Sequence, residues 1–165
     1  MIDTRLMHRL RDQLLERGAP SVAGGSPSSP ASAAPYELAS LARIAPLAEL
    51  LFLMLTADAD VDEREVLAVR GAVRTLTEGL LSAASVDGLV EGFAAALERE
   101  GLEARIGDVT ARLAADREDA EVGLMLAAAV ALADGRVDDR ERELFDEVAS
   151  QLGVSQRRVD ELLGR

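Results

Sequence analysis

Two segments of this chain repeat each other, and that repetition narrows the folds open to it. Ala57-Asp58-Ala59-Asp60-Val61-Asp62-Glu63-Arg64-Glu65 returns as Ala133-Asp134-Gly135-Arg136-Val137-Asp138-Asp139-Arg140-Glu141. The shared pattern is Ala-Asp-x-x-Val-Asp-acid-Arg-Glu. Each copy follows an apolar run, Leu50 to Leu55 in the first and Val122 to Leu132 in the second, and each opens an amphipathic helix. An apolar helix, an acidic loop and a helix, used twice, predict a quasi-twofold helical domain with clustered carboxylates at two equivalent corners.

The spacing of apolar residues extends this reading along the chain. Ile2, Leu6, Leu10 and Leu14 recur every four residues, with Arg5, Arg9, Asp12 and Glu16 on other faces. Residues 1–18 therefore read as an amphipathic helix closed by Gly18. Residues 19–35 hold four of the five prolines among Gly, Ser and Ala, a composition that packs no core and reads as a flexible linker. The body is residues 36–165. Leu38, Leu41 and Ile44 mark a helix expected to stop or kink at Pro46. Leu47 to Ala57 is apolar on nearly every face, interrupted by Glu49, and is expected at the centre.

Further stripes follow at Val66, Val69, Val73 and Leu76, then Val86, Leu89, Val90, Phe93 and Leu97, then Ile106, Val109 and Leu113. Glu118 to Ala133 is the second central helix, and Leu144, Phe145, Val148 and Leu152 line the next, closed by Gly153. Ser155 is placed to cap a last short helix, with Val154 stapling onto Val159. No stretch alternates with period two. The expected fold is all-α: a compact bundle of about seven helices, preceded by a tethered amphipathic helix.

Composition removes many chemistries. The 18 basic residues are all arginine and the formal net charge is −12. Without lysine there is no Schiff base and no P-loop lysine. A surface this acidic repels phosphate, so no nucleic-acid partner is expected; it suits cations or a basic partner. There is no cysteine, hence no disulfide, thiolate metal site or thiol nucleophile. The one histidine, His8, lies on the N-terminal helix, where a solvated role accounts for it. Met54 and Met125 fall in the apolar helices and read as core filler. Residues 1–18 lack the apolar stretch of a secretory signal, and no apolar run approaches the roughly 20 residues of a membrane span. The expectation is a cytoplasmic protein that is not integral to a membrane and is not an enzyme.

The acidic corners admit two readings. Asp62 and Glu65, like Asp138 and Glu141, have the Asp-x-x-Glu spacing of a capping box, in which the carboxylates satisfy free N–H groups of a helix start. Asp58 and Asp134 fit less well, because each closes an apolar helix, where the macrodipole disfavours an anion by ~0.3–1 kcal/mol. Either an Asx-type turn uses them, or a hard cation such as calcium or magnesium offsets the crowding. The candidate ligands are Asp58, Asp60, Asp62, Glu65, Asp134, Asp138 and Glu141.

The opening spacing Asp58-x-Asp60-x-Asp62 is that of an EF-hand loop, but Glu63 stands where the turn glycine belongs and Val69 where the bidentate glutamate belongs. Arg136 replaces the middle aspartate of the second copy and opposes a cation, so the first loop is the stronger candidate. Gly135 suits the left-handed turn after a helix, whereas Ala59 holds that place in the first copy. Arg64 and Arg140 pair most simply with the neighbouring carboxylates.

The twin segments, in this order among the helices, resemble those of the tellurite-resistance TerB-like family. The ending Gly153-Val154-Ser155 with Val159, Leu162 and Leu163 is similar as well. The resemblance spans about Tyr36 to Leu163 and implies a compact all-α domain. It also implies divalent-cation binding by Asp58, Asp62, Glu65, Asp134, Asp138 and Glu141. Its wider associations are stress responses, metal-resistance complexes at the cytoplasmic membrane face, and co-chaperones in which such a domain accompanies a J-domain. This chain has no His-Pro-Asp motif and is not itself a J-domain protein. The reading is an interaction module that docks a protein partner, with a divalent cation as regulator. Its rivals are a metal-independent adaptor whose acids are caps, and a metal-assisted hydrolase, which lacks a companion nucleophile or base. The N-terminal helix suits docking into a groove or self-association.

Overall fold

The computed structural model describes residues 33–56, 63–76, 82–131 and 139–163. Seven helices account for them: α1 (Ala33–Leu55), α2 (Glu63–Leu76), α3 (Ala83–Glu100), α4 (Leu102–Leu113), α5 (Arg117–Ala131), α6 (Asp139–Gln151) and α7 (Gln156–Leu163). No strand occurs among the described residues. The all-α bundle expected from periodicity is therefore the fold. The N-terminal helix and residues 19–32 of the linker lie outside the described residues.

Of the stop or kink expected at Pro46, the stop does not occur: α1 runs through it for 23 residues and includes Ala33 to Pro35. A proline inside a helix costs ~3 kcal/mol through its lost N–H bond and ring clash. Against that, Leu47, Leu50, Leu51, Phe52 and Leu53 are all but inaccessible, each worth roughly 1.5–3 kcal/mol on burial. Ending the helix here would also strand its last carbonyls and the next helix's first N–H groups inside the core. Pro35 lies in the first turn of α1, where an N–H has no helical acceptor.

α1 is the hub. It packs most extensively on α4 and α5, and also on α2 and α3, while α6 leans on α5 and α4, and α7 closes the end formed by α5 and α6. The two apolar helices are thus neighbours, and each also packs on the helix that follows its acidic segment, α1 on α2 and α5 on α6. The stripes read from sequence face inward: Val69 and Val73, then Val86, Val90 and Phe93, then Ile106, Val109 and Leu113, then Phe145, Val148 and Leu152 are buried. Phe52 of α1 meets Phe93 of α3 with ring centroids 6.0 Å apart at 44°. The α5 backbone approaches the core closely at Gly123, where a Cβ would stand 3.1 Å from Leu113 and 3.3 Å from Leu50.

Local chemistry sets the helix ends. The Ser82 hydroxyl accepts from the Ser85 N–H at 3.1 Å and caps α3. α3 and α4 meet at Gly101, whose backbone (φ 83°, ψ 162°) is open essentially to glycine alone. Asp116 caps α5, its carboxylate accepting from the Glu118 and Asp119 N–H groups at 2.8 and 3.2 Å. α6 ends in a Schellman motif: Gly153 (φ 68°) donates to the Ser150 carbonyl and Val154 to that of Ala149, both at 3.1 Å. The Ser155 carbonyl then accepts from Arg158 and Val159, which starts α7. Val159 is buried and Val154 half-buried against the same core, as the staple requires.

Candidate functional site

The bundle gives the acidic segments related positions in the chain. α1 ends at Leu55, ahead of Asp58, Asp60 and Asp62, and α2 starts one residue after Asp62. α5 ends at Ala131, ahead of Asp134 and Asp138, and α6 starts one residue after Asp138. Glu65 and Glu141 belong to the first turns of α2 and α6. Asp58, Asp60, Asp62, Asp134 and Asp138, together with the side chains of Glu65 and Glu141, lie outside the described residues. The same holds for Ala59, Gly135, Arg136 and the side chains of Arg64 and Arg140. Among the described residues, no group of three or more His, Asp or Glu side chains is placed to hold a metal ion.

At the entrance to the first segment, Thr56 folds back onto α1. Its N–H and its hydroxyl both donate to the Phe52 carbonyl, at 3.0 and 2.8 Å. One late carbonyl of α1 is thereby satisfied twice within the buried end of the helix.

The structure also contains a charged cluster that periodicity did not reveal. Glu49 is 4% exposed, the only buried charged residue among those described. Its Oε1 accepts from both Nε (3.0 Å) and Nη2 of Arg105, which reaches over from α4. Arg112, about two turns further along α4, brings Nη1 within 3.6 Å of the other Glu49 oxygen. Arg105 also donates to Glu100 at 2.8 Å, at the end of α3, and lies 3.4 Å from Asp108. α1, α3 and α4 are tied at one point. Hydrogen bonds to Glu100 and Glu49 hold the Arg105 guanidinium above its ordinary pKa, so it stays charged. The donors of Arg105 and Arg99 hold the Glu100 carboxyl below its own ordinary value. The only sequence signal was an acid inside an otherwise apolar run; the partner, 56 residues away, left none.

A second polar contact joins α4 to α6. The buried Thr110 hydroxyl sits between the Ile106 carbonyl (2.6 Å) and the Gln151 side-chain oxygen, and the Gln151 amide donates to Glu147 at 3.0 Å. At the surface, Arg70 of α2 pairs with Asp87 of α3 at 3.3 Å. Each of these contacts ties one helix to another, although the buried Arg70 Nε, 3.3 Å from Asp87, makes no hydrogen bond.

The fold and the duplicated acidic segments define a class: a helical bundle in which two apolar helices are each followed in the chain by an acidic segment and a second helix. The family model for tellurite resistance protein TerB matches residues 40–163, well over half of the chain, and the chain belongs to that family. Neither a curated protein nor a solved structure matches it significantly. The family match stops short of residues 1–39, which include the N-terminal helix and linker read from the sequence. Among the described residues, no helix is long and apolar enough to cross a membrane.

Proposed function

We propose that this chain is a TerB-like interaction module that binds a divalent cation through its acidic segments and docks a protein partner. The observation that carries the reading is the pairing of a TerB family match over residues 40–163 with a twofold acidic motif that follows two neighbouring apolar helices. The donor set fits a hard cation: Asp58, Asp60, Asp62 and Glu65 in the first copy, and Asp134, Asp138 and Glu141 in the second, offer carboxylate oxygen alone. Calcium or magnesium would neutralise like charges that otherwise repel, and would tie the end of each apolar helix to the start of the next. Nothing in this role requires turnover. Stress response, a partner at the cytoplasmic membrane face, and self-association through residues 1–18 belong to the same proposal.

Isothermal titration with calcium and with magnesium tests it. Wild-type protein should take up cation, Asp58→Asn should lose most of the tighter binding, and Asp134→Asn should lose less, because Arg136 already opposes a cation in the second segment. Absence of uptake of either ion would refute the cation role.

One observation favours a second reading, a metal-independent adaptor. Asp116 shows an aspartate of this chain capping a helix through two backbone N–H groups. Asp62 and Asp138 precede their helices at a spacing that suits the same task. On that reading the titration is silent, while Asp62→Ala and Asp138→Ala each cost ~1 kcal/mol of stability.

A further inference from the structure

We infer that the Glu49–Arg105 pair is a register lock, which fixes how α1 sits in the bundle rather than adding to its net stability. The argument starts from the surface of α1. From Pro46 to Met54 every residue is buried, so the helix meets protein on all sides. Its flanking side chains are mostly leucines and small residues, with Leu47, Ala48, Leu50, Leu51 and Leu53 fully enclosed. An amphipathic helix has its rotation chosen by the polar face, and α1 has no such face here. Sliding it by one turn puts Leu51 at the place of Leu47 and Met54 at that of Leu50, aliphatic for aliphatic, with Ala48 and Phe52 the mismatched pair in volume. Uniform cores of this kind specify a single packing poorly.

Glu49 breaks the degeneracy. Its carboxylate is nearly inaccessible and needs donors, and Arg105 supplies two from one guanidinium to one oxygen. Another rotation or axial position of α1 takes that anion away from its two Arg105 donors and from Arg112, 3.6 Å from its other oxygen. Arg105 is itself held from the far side by Glu100 and Asp108, so it cannot simply follow. A buried ion pair often adds nothing net when compared with apolar residues of similar volume, while half of one is costly. Its best-attested use is to select register, as a buried polar residue does in coiled coils. Shape also selects here, through Leu50 over Gly123 and Phe52 against Phe93. The lock means that these contacts alone do not suffice.

The test is the double variant Glu49→Leu/Arg105→Leu in the full chain, compared with wild type by thermal melting and by two-dimensional amide NMR. The double variant should stay helical and melt within about 5 °C of wild type or above it. Its resonances for residues 44–56 and 102–113 should double or broaden through exchange between packings, and amide protons of α1 should exchange faster. A single sharp set of resonances with wild-type contacts between α1 and α4 would show that shape fixes the register, and would overturn the inference. A double variant that unfolds, or melts far below wild type, would make the pair a source of stability and overturn it equally.

Discussion

Glu49 and Arg105 differ from the surface ion pairs of this protein because water hardly reaches them, their side chains being 5% and 13% exposed. Arg157 and Glu161 on α7 are 3.8 Å apart and largely or half exposed, a setting in which a pair is worth about 0–1 kcal/mol. Arg105→Met keeps much of the stem but leaves Glu49 with Arg112 at 3.6 Å as its remaining cation. We expect a loss of about 3 kcal/mol, read as a lower urea midpoint at unchanged slope. Gly101 offers a backbone test of similar directness. A Cβ there meets no neighbour, so the cost of Gly101→Ala is conformational alone, about 1–3 kcal/mol. Glu100 sets a pH dependence. Its carboxyl is lowered by Arg105 and Arg99, so its contribution is present above its unfolded pKa and lost as pH falls through the folded one. The stability difference between wild type and Glu100→Gln should therefore shrink as pH drops below about 4. A difference that stays constant from neutral to acid pH would count against that ion pair.

At the scale of elements, the helices were legible because each carries apolar residues at a spacing of three and four. Val86, Val90 and Phe93, or Ile106, Val109 and Leu113, point one way by geometry alone, and they are buried. The α6–α7 junction was legible too, since Gly153 ends α6 with a positive φ and Val154 and Val159 pack on the core on either side of the next helix start. Two features were hidden for opposite reasons. Pro46 is a strong local signal to stop, overridden by burial contributed from helices far along the chain. Glu49 is a local oddity whose meaning lies on α4, and periodicity carries no information about such a partner. Asp116 was missed as a cap because the second apolar run drew the helix start to Glu118, one residue inside the observed α5. Asp116→Ala should cost ~1 kcal/mol by thermal or urea melting, with fraying confined to the start of α5. The two acidic segments were recognised as a repeated motif, and their role as cap or ligand is a matter of charge and oxygen geometry that one sequence does not decide.

The described bundle joins a hub helix to four packed neighbours, and an acidic segment follows each of its two most apolar helices in the chain. That arrangement gives cation binding a route into stability, because ligation by an acidic segment would fasten one packed helix to the next. The most direct measurement is the melting temperature in chelator against millimolar calcium or magnesium. If the folded state alone binds, a free concentration 100-fold above Kd contributes ~2.7 kcal/mol. For a chain of this size that corresponds to a rise of about 5–10 °C. Asp58→Asn should lose most of the rise, and in chelator it should melt at or slightly above wild type, because one charge of a crowded set has gone. Wild-type protein that melts at the same temperature in chelator and in both cations would contradict the cation role and leave the acidic segments as helix caps.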